Sequence, residues 1–138
     1  METLKIVSEL LDDNGVCIIR IPVMGKYAWR EYGINWYQID APRHYFLYSE
    51  SAIRYLCKKN GLYVNNVIFD SDWNQFVISE GYRDTSLNFA KIVKNGGSMR
   101  RYKKLTDEAI KLNECNDGDQ AIFYISKSHK KYLTQYRK

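Results

Sequence analysis

The sequence contains little proline, few cysteines and no long apolar stretch. Only two of the 138 residues are proline and eight are glycine, which excludes a collagen-like repeat. No apolar run approaches the roughly 20 residues that cross a bilayer. The first five residues, Met1 to Lys5, lack the apolar core of a signal peptide. Together these absences predict a soluble domain that has no membrane partner.

The cysteines and histidines are too few and too scattered to form a disulfide framework or a metal site. Cys17, Cys57 and Cys115 form no C-x-x-C pair, and the two histidines, His44 and His129, have no metal-ligand spacing. We therefore expect reduced thiols, a cytoplasmic location and no bound metal.

The positive charge is concentrated in the last third of the chain. Residues 1–90 carry nine basic and eleven acidic side chains, a net −2, whereas residues 91–138 carry twelve and five, a net +7. The excess lies in Arg100 to Lys104 and in a basic tail, residues 127–138. One interpretation is a binding module that uses residues 100–138 for nucleic acid or another anionic partner. The other is a solvated helix face with a frayed tail, in which case nucleic acid is not a partner.

Helix and strand patterns alternate along the chain, which predicts one α/β domain over residues 1–138. Val16 to Ile21 is a nearly continuous apolar strand closed by Pro22, and this continuity predicts a central strand buried on both faces of a parallel sheet. The other predicted elements are helices at 2–11, 49–61 and 98–112, strands at 62–69 and 121–125, and a short helix or irregular segment at 73–82.

Three strands are few for such a sheet, and nothing upstream of the first strand could pair with its other edge. An exposed apolar edge invites aggregation, so a native protein is expected to cover it. We therefore expect either a partner chain, such as a second copy, or the remainder of a larger domain along this edge.

Residues 23–48 show no clear period and are dense in aromatic side chains. They follow the end of the first strand, where ligands bind in open α/β sheets, and long ordered connections are usually functional. This segment is therefore the candidate substrate pocket, although aromatic side chains of this kind also form the core of loops. The candidate aromatic walls are Tyr27, Trp36, Tyr37 and Tyr45.

The same segment holds the candidate polar groups. His44 is the candidate general base, because its pKa range suits neutral pH, unless it bonds a backbone carbonyl and only holds the loop. Arg43 is suited to binding an anionic substrate group in a bidentate manner, but it is equally placed to pair with Asp40, three residues earlier. Asp70 and Asp72 form a carboxylate pair by spacing, or a turn and helix cap.

Several stretches, taken in order, resemble the C-terminal half of a Rossmann-like methyltransferase that depends on S-adenosylmethionine (SAM). The turn from Leu10 to Val16 and the strand to Pro22 resemble the family's leucine-rich turn and fifth strand. The segment from Trp36 to His44, which contains Asp-Ala-Pro-Arg-His, is similar to the connection that follows. The remaining similar stretches are 49–53, 59–62, 112–113 and 118–121.

The resemblance implies a partial Rossmann-like three-layer sheet, made of the family's last three strands with the final strand reversed, plus helices. It also implies a substrate-side role in methyl transfer from SAM to a small-molecule acceptor, with His44 as base and with Tyr27, Trp36, Tyr37, Asp40, Arg43 and Tyr45 at the substrate.

The family holds its cofactor on the N-terminal half of the domain, which has no counterpart in these 138 residues. The glycine cluster from Asn95 to Ser98 lacks the required spacing and is interpreted as a turn and cap, or as an anion site with Arg100 and Arg101. We therefore expect this chain alone to bind SAM weakly and to be inactive, and we expect the N-terminal half, or a second copy, to be its partner.

Overall fold

The computed structural model of the chain describes residues 2–84 and 99–129. The helices are α1 (Glu2–Leu10), α2 (Tyr27–Tyr32), α3 (Glu50–Lys59), α4 (Asn74–Arg83) and α5 (Met99–Glu114), with single 3-10 turns at Gly33–Asn35 and Tyr37–Ile39. The strands are β1 (Cys17–Pro22), β2 (Tyr63–Phe69) and β3 (Gln120–Ser126). The mixed α/β class is therefore confirmed. The predicted glycine turn at 95–98 and tail residues 130–138 lie outside the described residues.

The three strands form one sheet in the order β1-β3-β2. β3 is antiparallel to both neighbours, with Phe123 opposite Ile19 of β1 and Val67 of β2. β1 and β2 consequently run in the same direction, and the last strand of the chain lies between them. The prediction of a parallel sheet with β1 at its centre is wrong. The apolar run from Val16 to Ile21 indicates that the strand is buried, but it does not indicate which strands lie next to it.

β1 is buried on one face only. Its side chains alternate along the strand, with Ile19 and Ile21 toward the core and Arg20 exposed. Ile18 is 61% exposed, which overturns the expectation that both faces of this strand are covered. Within the described part of the chain, α1 and α3 cover the face to which Ile19 points.

The main core lies between the sheet and these two helices. Ile53 and Cys57 of α3 pack against Phe123 and Ile125 of β3, and burial raises the pKa of the Cys57 thiol to about 11. α3 begins at the predicted cap, where the Ala52 N–H donates to Ser49 Oγ at 3.2 Å.

No helix in the described ranges is long and apolar enough to cross a membrane.

Residues 23–48 are folded rather than an irregular loop. α2 interrupts the segment and contacts α4, and a second apolar cluster forms around three buried residues, Ala28, Tyr32 and Trp36. The sequence pattern did not predict this helix, because its two buried residues, Ala28 and Tyr32, lie within a stretch of only six residues, which is too short to show a period.

Candidate functional site

The candidate site lies at the carboxyl ends of β1 and β2. Because both strands run in the same direction, their carboxyl ends lie at the same end of the sheet. Residues 23–48 and Asp70 leave the sheet there, and β3 begins there with Gln120. Ligands of open α/β sheets bind beyond the carboxyl ends of the strands. Five side chains located here form what we call the strand-end cluster: Arg20, Tyr37, Asp70, Gln75 and Asp119.

Trp36 and Asp119 join the aromatic segment to the sheet. The Trp36 indole N–H donates to Asp119 Oδ2 at 2.9 Å, and both residues are only 1% exposed. Burial raises the pKa of the Asp119 carboxyl, while hydrogen bonds from Trp36 and from Ser71 act in the opposite direction. The Trp36 ring, expected as a pocket wall, is enclosed in the core of the segment and anchors it.

Tyr37 follows this anchor and is half-buried. Its backbone N–H donates to Ser79 Oγ of α4 at 3.1 Å. Burial strongly raises the pKa of the Tyr37 hydroxyl, and the carboxylates of Asp119 and Asp72 raise it further, whereas Arg20 lowers it. The hydroxyl is therefore protonated at neutral pH and can donate a hydrogen bond to a ligand.

Two buried polar groups of the cluster have atoms without partners in the described part of the chain. Arg20 Nε bonds Asp70 Oδ2 at 2.6 Å, but Asp70 Oδ1 is buried and unpaired. The side chain of Gln75 is fully buried, and neither its amide oxygen nor its amide nitrogen has a partner. Gln75 lies one helical turn before Ser79, on the face of α4 that holds Tyr37. Buried polar groups are nearly always bonded, so a water molecule or a ligand group that reached these atoms would complete their hydrogen bonding.

His44 lies apart from the cluster, beside β1. Its Nδ1 is 2.8 Å from the Gln38 carbonyl oxygen. Because a carbonyl can only accept, Nδ1 carries the proton, and Nε2 of the neutral ring is an acceptor. His44 also lines a cavity of about 230 Å³ between α1, α3 and β1. The cavity is otherwise lined by Thr3, Leu4, Ile19, Ile21, Pro22, Phe46, Tyr48, Ile53 and Leu56.

Asp40 and Arg43 bond each other. Arg43 Nε lies 2.8 Å from Asp40 Oδ2 and Nη2 lies 2.9 Å from Oδ1, so the guanidinium already has a bidentate carboxylate partner. Asp40 adopts the left-handed conformation, with φ of 39°, which Asp tolerates better than most residues. An anionic substrate would have to compete with Asp40 for Arg43.

The two remaining candidate aromatics differ in burial. Tyr27 is half-buried, and its ring packs edge-on against Phe76 with centroids 6.0 Å apart. Tyr45 is 85% exposed and the neighbouring Phe46 is 73% exposed. The structure therefore brings Trp36 and Tyr37 to the strand ends, buries Tyr27 partly against α4 and leaves Tyr45 on the surface.

Sequence reasoning missed Gln75, Ser79 and Asp119 as site residues. Asp119 could have been found, since it ends the turn-forming sequence Asn116-Asp117-Gly118-Asp119 immediately before the last strand. Gln75 and Ser79 carry no sequence signal, because only the packing of α4 on the aromatic segment buries them. Of the two interpretations given for Asp72, a carboxylate pair or a turn and helix cap, the geometry agrees with the cap. Asp72 Oδ1 accepts the Asn74 N–H at the start of α4 at 2.7 Å.

The exposed face of α5 is a separate candidate. Four basic side chains surround a shallow depression together with Asp107 and Glu108. These four, none of which forms an ion pair with another described residue, are Arg100, Lys103, Lys104 and Lys111. Arg101 differs from them, because its Nη2 lies 2.9 Å from Glu80 Oε2.

Within residues 2–84 and 99–129, no three His, Cys, Asp or Glu side chains are grouped closely enough to hold a metal ion. Comparison with known proteins finds no family model, no curated protein and no solved structure that matches this chain.

Proposed function

We propose that this chain is the C-terminal, substrate-side part of a Rossmann-like methyltransferase domain that uses SAM to methylate a small-molecule acceptor in the cytoplasm. The observation that carries the proposal is the position of the last strand. β3 runs opposite to β1 and β2 and lies between them, and the resemblance implies a reversed final strand. The similar stretches from Leu10 to Pro22 and from Trp36 to His44 fall at the turn into β1 and in the segment that leaves its carboxyl end.

The strand-end cluster supports a substrate-binding role. Tyr37 offers a protonated hydroxyl, and Gln75 offers an amide donor and an amide acceptor that no described residue uses. These groups are held by the main chain of the segment and by α4, so they are fixed before a ligand arrives. Such groups orient an acceptor for in-line attack, which is the main requirement of methyl transfer.

His44 is the proposed base of the chemical step, and because it lies apart from the strand-end cluster, the acceptor atom must sit at His44 while another part of the substrate contacts the cluster. In that step the acceptor atom bonds the methyl carbon of SAM while the carbon–sulfur bond breaks, and an acceptor O–H or N–H must lose its proton. The Nδ1–H of His44 donates to the Gln38 carbonyl, so in the neutral ring Nε2 is the acceptor that would take that proton. SAM itself supplies the methyl group and would be held by the N-terminal half of the domain.

The test is the mass and cofactor affinity of the native protein purified from its source cells. We expect a mass above the 16.3 kDa of these residues and SAM binding with micromolar affinity, whereas the 138-residue chain alone should not bind SAM. A native species of 16.3 kDa that binds no SAM would contradict the proposal. Micromolar binding by the chain alone would show that the cofactor site lies within it.

The two histidines provide a matched pair for the role of His44. In the native enzyme, His44→Gln should lower kcat by about 10²- to 10⁴-fold, the usual contribution of a general base, with little effect on KM. His129→Gln is the control, because His129 is exposed and stacks on Tyr63 away from the strand ends. Equal activity of both variants would rule out His44 as the base.

A second candidate function is anion binding by the exposed face of α5. The observation in its favour is the group of four basic side chains on one face of the helix. Changing Lys103 and Lys104 to Gln should weaken binding of a labelled single-stranded oligonucleotide and reduce the dependence of that binding on salt. Arg101→Gln is the control, since Arg101 is paired with Glu80. Equal binding by all variants would remove this candidate.

A further inference from the structure

We draw no further inference here: the strongest candidate, the fully buried side-chain amide of Gln75 near the start of α4, which has no hydrogen-bond partner in the described part of the chain, belongs to the strand-end cluster that the proposed function already uses.

Discussion

The aromatic side chains of two neighbouring parts of the segment, residues 27–37 and residues 40–46, reach opposite degrees of burial. The first part contains Trp36, which is 1% exposed, and the second contains Tyr45 and Phe46, which are 85% and 73% exposed. Both parts are rich in polar as well as aromatic residues. Composition therefore does not explain why one folds into the protein and the other lies on its surface.

The difference is in the polar partners that the rest of the chain supplies. The inner part finds Asp119 for the indole of Trp36 and Ser79 for the backbone of Tyr37, which lie 83 and 42 residues away. The outer part bonds mainly to itself, through the pair formed by Asp40 and Arg43. Aromatic rings with polar atoms can be buried only where those atoms are satisfied, so the distant partners decide the burial.

The largest expected effect is that of Trp36→Ala. It removes a buried ring and leaves the Asp119 carboxylate without its indole donor, so the free energy of unfolding should fall by about 3–5 kcal/mol. Tyr45→Ala, the matched control in the outer part, should change it by no more than about 0.5 kcal/mol. Urea denaturation of both variants measures the difference. Similar losses in the two variants would remove the contrast between the two parts.

Ser79→Ala tests the backbone anchor of the inner part. The change leaves the Tyr37 N–H without its acceptor in a buried place, which should cost about 1–3 kcal/mol in unfolding free energy. Ser51→Ala, on the exposed side of α3, should change stability by less than about 0.5 kcal/mol. If Ser79→Ala is as stable as the unchanged chain, the Tyr37 N–H must find another partner, and the anchor is weaker than the geometry indicates.

Asp119→Asn tests the charge at the inner anchor. Burial raises the pKa of Asp119 in the folded state. Between the ordinary carboxyl pKa and this raised pKa, the folded chain therefore holds a proton that the unfolded chain has released. The free energy of unfolding consequently falls as the pH rises through this range. Asn has no charge to lose but keeps an acceptor for Trp36. The melting temperature of the variant should therefore rise relative to the unchanged chain across this range, by about 4 °C per kcal/mol. A difference that does not vary with pH would contradict the prediction.

The smallest effect is expected in the outer part. A double-mutant cycle of Asp40→Asn and Arg43→Gln should give a coupling energy of about 0.2–1 kcal/mol, because the pair is exposed to solvent. High salt should reduce this coupling. A coupling above about 2 kcal/mol would show that the outer part is as firmly anchored as the inner part.

Local patterns predicted several elements of the fold well. The cap at Ser49, the strand that ends at Phe69 and the strand that begins near Ala121 lie where the sequence placed them. Turn residues, caps and strand-forming side chains act within a few residues of each other, so a sequence shows them directly. The same local signals missed α2, which is short and owes its burial to α4.

The candidate site was predictable only in part. Residues 23–48 could be recognised as unusual by their length and aromatic content, and His44 could be named because histidine is rare in this chain. The unpaired amide of Gln75 had no sequence signal, since its burial depends on contacts between elements that are distant in sequence. Whether Tyr37 or His44 acts on a substrate stays a prediction.

By itself, the sequence determined the alternation of helices and strands, the turns between them and the apolar character of β1, because each of these depends on neighbouring residues. Only the tertiary structure decided that β3 lies between β1 and β2, that β1 is an outer strand among the strands that the structure describes, and that Asp119 meets Trp36. The order of the strands and the hydrogen-bond partners of buried polar groups both depend on contacts between residues that are 40 or more positions apart. No local sequence pattern specifies which distant residue is the partner.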